Sequence, residues 1–155
     1  MVGTQVAFTW SRHLKGNNPQ PRRQQMAEKK LVLIVDDEPD VVAIIGGRLK
    51  KEGYDIAEAY NGVEGIDSVK KRIPDAIVLD VMMPEKDGYE VCAELKKNPK
   101  YADIPIIMLT AVADHVSSTR YSHFDGISME ADDYIPKGPD STEQIVQSVK
   151  DMLAE

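Results

Sequence analysis

The sequence predicts an α/β fold, with a doubly wound parallel β-sheet carrying helices on both faces. Three observations predict it. Apolar runs at 31–36, 76–80 and 104–109 have strand length and no polar alternation, the mark of strands buried on both sides. Segments between them repeat apolar residues at helical spacing and open with helix-start residues. Strand-like and helix-like stretches alternate as βαβαβαβαβα, which favours a parallel sheet over hairpins.

Each element has its own warrant. Leu31-Val32-Leu33-Ile34-Val35 is the first strand. A helix follows with Pro39 in its first turn and Val41, Val42, Ile45 and Leu49 on one face. Gly46-Gly47 weakens it by about 1 kcal/mol per glycine relative to alanine, which only close helix–sheet packing would justify. Tyr54–Ala59 alternates and reads as a more exposed strand. Asn61 and Glu64 start a second helix with Val63, Ile66 and Val69 apolar. Ala76–Asp80 is the third strand. Asp87 and Glu90 form a capping box for a helix with Val91, Cys92 and Leu95 inward. Tyr134-Ile135-Pro136 is a short fifth strand whose proline suits a sheet edge. Ser141 and Gln144 box the last helix, with Ile145, Val146, Val149 and Met152 as its stripe.

The chain has 155 residues, enough for one domain with a real core. Its net charge of -7 is unevenly spread. Residues 1–30 carry six Lys/Arg and one Glu, whereas the rest carries 13 basic and 25 acidic residues. An acidic body argues against nucleic-acid binding and suits a protein that holds a cation. Residues 1–29 lack apolar periodicity and read as a flexible N-terminal tail, with the folded domain at 30–155. Met26 reads as the natural start, the residues before it being an extension or an overlong start; a native arm is the other reading. The single cysteine, Cys92, excludes an internal disulfide and any multi-cysteine zinc site, and reads as a core thiol. No apolar run approaches the roughly 20 residues of a membrane span, and the N-terminus lacks a secretory signal. A reducing cytoplasm is compatible with this, and no membrane insertion is expected.

The chemistry concentrates at strand ends. Asp36 and Asp37 follow one apolar run and Asp80 ends another. If these runs are neighbouring strands, three carboxylates meet at one sheet edge, where they repel one another unless a cation or proton intervenes. Thr110 and Lys137 also fall at carboxyl ends of strands, where open α/β sheets bind ligands. Taken singly, each has a plainer reading. An Asp pair is often a helix cap, a lysine is usually solvated, and Thr110 suits a strand end. Tyr134 suits a half-buried strand. Glu38 is either a fourth acid of the cluster or, the favoured reading, a first-turn charge at the positive end of a helix dipole.

Together they resemble a known family. Ile34-Val35-Asp36-Asp37-Glu38, Leu79-Asp80-Val81-Met82-Met83-Pro84-Glu85-Lys86-Asp87-Gly88, Leu109-Thr110-Ala111 and Ala131-Asp132-Asp133-Tyr134-Ile135-Pro136-Lys137 match, in order and spacing, the receiver domain of two-component response regulators, of the stand-alone, chemotaxis-regulator kind. The resemblance implies a flavodoxin-like five-stranded sheet in the order 2-1-3-4-5. It implies that Asp80 accepts a phosphoryl group from a sensor histidine kinase or histidine phosphotransfer protein. It also implies Mg²⁺ on Asp36, Asp37, Asp80 and the Met82 backbone oxygen, Asp36 acting through water. Lys137 would pair with Asp80 and then with the phosphate. Thr110 would donate its hydroxyl to a phosphoryl oxygen, and Tyr134 would turn inward when Thr110 moves. Such a domain is not an enzyme beyond its own phosphorylation and dephosphorylation, and it signals to a downstream protein by contact. The chain ends with the helix after Lys137, so no output domain is expected.

Some features depart from the family pattern. Lys137 is followed by Gly138 rather than proline, and a cis Lys-Gly bond would cost about 2.5–4 kcal/mol. Glycine would instead supply an unusual backbone angle. The stretch between Thr110 and Lys137 is longer than usual, which reshapes the fourth helix and its entry. His115 and His123 there read as surface histidines. Met82 and Val112 are apolar where relatives often orient an attacking water, so slow loss of the phosphoryl group is expected. Two rivals remain: a receiver-like scaffold that needs no phosphate, and a magnesium-dependent phosphohydrolase. The second lacks the Asp-x-Asp spacing, since Asp80-Val81-Met82 offers no second acid.

Overall fold

The computed structural model describes residues 28–111 and 131–154. The expectations about Met26, Val112, His115, His123 and the fourth helix lie outside those residues. Within them the strands are β1 (Leu31–Val35), β2 (Asp55–Ala59), β3 (Ala76–Asp80), β4 (Ile106–Thr110) and β5 (Asp133–Pro136). The helices are α1 (Pro39–Lys51), α2 (Gly62–Lys71), α3 (Gly88–Lys97) and α4 (Ser141–Leu153). All strand pairs are parallel and the order is β2-β1-β3-β4-β5. This is the flavodoxin-like arrangement the sequence implied.

The period-2 pleat sorts the core into two layers. Leu33, Val35, Ile77, Leu79, Ile106 and Met108 face α2 and α3, where Ile66, Val69, Val91, Cys92 and Leu95 meet them. Val32, Ile34, Val78, Ile107, Leu109 and Ile135 face α1 and α4, against Val42, Ile45, Leu49, Ile145, Val146 and Val149. The three central strands are therefore apolar on both faces, and β2 and β5 form the edges. Cys92 is wholly buried, as expected of a core thiol.

Helix starts follow the local chemistry, with one correction. Asn61 caps α2 by accepting the Glu64 N–H at 2.8 Å. Asp87 and Glu90 form a reciprocal capping box on α3, at 2.9 and 3.2 Å. The expected box of Ser141 and Gln144 does not form. Asp140 occupies the cap position without a side-chain bond, and the Ser141 hydroxyl donates to the Gly138 carbonyl at 2.9 Å. Val63 faces outward, and Gly62, Gly65, Ile66 and Val69 make the inner side of α2. Of the three apolar residues read for this helix, Ile66 and Val69 are buried and Val63 is 49% exposed, while the glycines take the crowded side of the first turn. A Cβ on Gly62 would stand 2.5 Å from the Lys86 carbonyl, and one on Gly65 3.1 Å from Val35.

On α1 the glycine pair does not serve close packing. A Cβ on Gly46 would make ordinary contact with Ile56 at 3.5 Å, and one on Gly47 would meet nothing within 4 Å. Helices α1 and α4 are joined by ion pairs: Arg48 with Glu143, and Glu52 with both Arg48 (3.3 Å) and Lys150 (2.8 Å).

Candidate functional site

The strand order decides which loops share the carboxyl end of the sheet. β1 and β3 are adjacent, with Ile34 opposite Val78, so Asp36 and Asp80 occupy the next rung on the same face. Backbone bonds extend the ladders past the strands and hold these residues. The Asp36 N–H donates to the Ala59 carbonyl at 3.1 Å, Val81 N–H to Leu109 at 3.1 Å, and Lys137 N–H to Thr110 at 2.7 Å. These side chains are therefore set by rigid elements rather than by free loops.

Asp36, Asp37 and Asp80 each present a carboxylate oxygen within 4.8 Å of the other two. Asp36 and Asp80 are buried, at 0% and 2% exposure, and Asp37 is exposed. Lys137 reaches over them. Its Nζ lies 2.9 Å from Asp80 Oδ1, 3.3 Å from Asp36 Oδ2 and 3.9 Å from Glu38 Oε1. Asp36 Oδ1 accepts the Glu38 N–H at 2.9 Å. Asp36 Oδ2 is buried with no hydrogen-bond partner, and its nearest cation is the Lys137 ammonium, 3.3 Å away. One ammonium shared among three acids leaves them under-compensated, a cost that a divalent cation would remove.

Burial dominates the titration of the acids. It pushes Asp80 up to about 6, with Asp36 and Asp37 adding repulsion, although Lys137 opposes the shift. Burial raises Asp36 too, against the Glu38 N–H and Lys137. Burial pulls Lys137 down, but Asp80 and Asp36 outweigh it and the net shift is upward. All-oxygen donors, two of them buried and under-compensated, fit a hard divalent ion such as magnesium.

Thr110 is buried at the end of β4, one residue beyond the rung on which Leu109 pairs with Asp80. Tyr134 pairs with Met108, so its side chain projects on the same face of the sheet as Met108 and Thr110. It is 37% exposed, the partly open setting expected of a strand aromatic. Met82 follows Asp80 in the loop to α3, with its side chain 60% exposed. The structure thus gathers Asp36, Asp37, Asp80 and Lys137 at one point, and sets Thr110 and Tyr134 on the adjoining strands.

The model of the response regulator receiver domain matches residues 32–150. The chain belongs to that family. Among solved structures, it resembles the signal receiver domain of a signal transduction histidine kinase from Syntrophus aciditrophicus. That match has 33% identity and a TM-score of 0.70, and covers 81% of this chain and 90% of that one. The response regulator TrrA from Thermotoga maritima, solved in complex with Mg²⁺-BeF, matches at 33% identity and TM-score 0.65, covering 80% and 99%. Chemotaxis protein CheY4 of Vibrio cholerae matches at 25% identity and TM-score 0.69, covering 81% and 100%.

This receiver domain departs from the sequence reading at two glycines. The described residues contain no cis peptide bond, and Gly138 is not among their positive-φ glycines. A Cβ there would meet nothing within 4 Å, so glycine is not needed for an unusual backbone angle. Glu38 stands at the N-cap of α1, a charge at the positive end of that helix without a side-chain cap bond, and its carboxylate lies 3.9 Å from Lys137 Nζ. Gly88 closes one of the matching segments, yet local spacing gave it no role of its own. A Cβ on it would lie 2.3 Å from the Asp80 carbonyl oxygen, and its N–H donates to Val81 O at 2.9 Å. The available signal was a glycine directly after a capping Asp, where helix propensity disfavours it. The loop between also holds Glu85 at φ +68°, the left-handed region that residues with a Cβ rarely enter.

Proposed function

We propose that this receiver domain takes a phosphoryl group onto Asp80 from a phosphohistidine of a sensor kinase or phosphotransfer protein, and signals by protein contact. The observation that carries the reading is the buried Asp80 carboxylate, 2.9 Å from Lys137 Nζ and clustered with Asp36 and Asp37.

An Asp80 oxygen attacks phosphorus, the P–N bond breaks, and the electron pair leaves with the imidazole. Lys137 holds the carboxylate for that attack and then pairs with the transferred group. Thr110 donates its hydroxyl to a phosphoryl oxygen, and Tyr134 follows Thr110 inward, which biases a two-state surface. Mg²⁺ on Asp36, Asp37, Asp80 and the Met82 carbonyl would neutralise charge shared between the carboxylates and the phosphoryl oxygens. The relative solved with Mg²⁺-BeF supports that assignment. Apolar Met82 beside the acid supports slow hydrolysis. The domain acts on itself rather than on a separate substrate.

Incubation with acetyl phosphate and Mg²⁺, followed by intact mass, tests this. Wild type gains one phosphoryl group and Asp80→Asn gains none. Unlabelled wild type would favour the phosphate-independent scaffold.

A further inference from the structure

Glu38 sits at the mouth of the site with its carboxylate 64% exposed, 3.9 Å from Lys137 Nζ. Its backbone is fixed there, because its N–H donates to the buried Asp36 Oδ1. Asp40 lines the same opening beside Asp37 and Glu38. Asp36, Asp37 and Asp80 supply three negatives, Lys137 one positive, and a divalent ion two. That inner set is neutral, and Glu38, with Asp40 beside it, makes the rim around it negative.

We propose that Glu38 is a specificity-determining residue for the phosphoryl donor, its charge at the entrance selecting against small, highly anionic donors. This rests on Asp80 being the phosphoacceptor. A small dianion must approach the negative rim with little else to hold it. A donor delivered by a docked protein draws on remote binding energy to offset that repulsion. Because Glu38 is largely solvated, its field is screened by salt over a Debye length of about 8–10 Å at ordinary ionic strength. The selection is therefore strongest in dilute buffer.

Labelling rates of wild type, Glu38→Gln and Glu38→Asp with Mg²⁺ test this, using acetyl phosphate (a dianion at neutral pH) and phosphoramidate (a monoanion). Glu38→Gln should speed labelling by acetyl phosphate several-fold at low salt. The gain should shrink with added salt and be smaller for phosphoramidate. Glu38→Asp, which keeps the charge, should stay near wild type. A merely structural role would alter both donors equally at every salt concentration, and that result overturns the inference. So does a Glu38→Gln rate equal to wild type. If wild type takes no label from either donor, the phosphoacceptor reading falls and this inference with it.

Discussion

At the scale of single residues, Asp80 is held under tension between burial and charge. Its carboxyl is pushed up to about 6 by burial, from an ordinary 3.8. A carboxyl raised on folding adds stability that is complete below its unfolded value and disappears as pH climbs through its folded value. Without metal, the wild-type chain should therefore lose stability relative to Asp80→Asn between pH 4 and 7. The shift corresponds to about 2–3 kcal/mol. Urea unfolding of both proteins at a series of pH values measures it, and a pH-independent difference would contradict it. Asp36, also raised by burial, remains in both proteins, and its repulsion of Asp80 is part of the difference measured. The identities of the acids were legible in the sequence because each ends or follows an apolar run. Their mutual repulsion was legible too; the Asp36 oxygen that receives no hydrogen bond was not, since it depends on side-chain geometry.

At the scale of elements, two glycines at helical positions have opposite reasons for being there. Gly47 is exposed within α1, with open space where a Cβ would go. Gly88 opens α3 against the Asp80 carbonyl at a distance no Cβ tolerates. Gly47→Ala should stabilise by about 0.5–1 kcal/mol, the helix-propensity difference. Gly88→Ala should destabilise and also slow labelling of Asp80, because the loop after the acid must move. Thermal melts with labelling rates check the pair, and equal effects would refute the distinction. Caps at Asn61 and Asp87 were readable from local spacing, because an Asx side chain and its N3 partner lie three residues apart. The missing Ser141 box and the outward Val63 were not. Both depend on what the preceding loop or neighbouring helix occupies.

For the whole molecule, the alternation of strands and helices was enough to read a parallel two-faced sheet. The strand order came from family resemblance rather than from periodicity, which is blind to which strands are neighbours. Yet that order brings Asp36 and Asp80 onto adjacent strands. A cation bound there should stabilise the entire fold by linkage, by about 2.7 kcal/mol at 100 times its dissociation constant. Mg²⁺ should thus raise the melting temperature of wild type, and much less that of an Asp36→Asn, Asp37→Asn double variant. Equal shifts in both would place the ion elsewhere. No helix among the described residues is long and apolar enough to cross a membrane.

Cys92 lies at 0% exposure between α3 and the sheet, and the chain has no second thiol. A maleimide can reach that sulfur only when the helix lifts from the strands. The protein therefore carries its own single-site clock of opening, one that needs no engineered label and starts from a silent background.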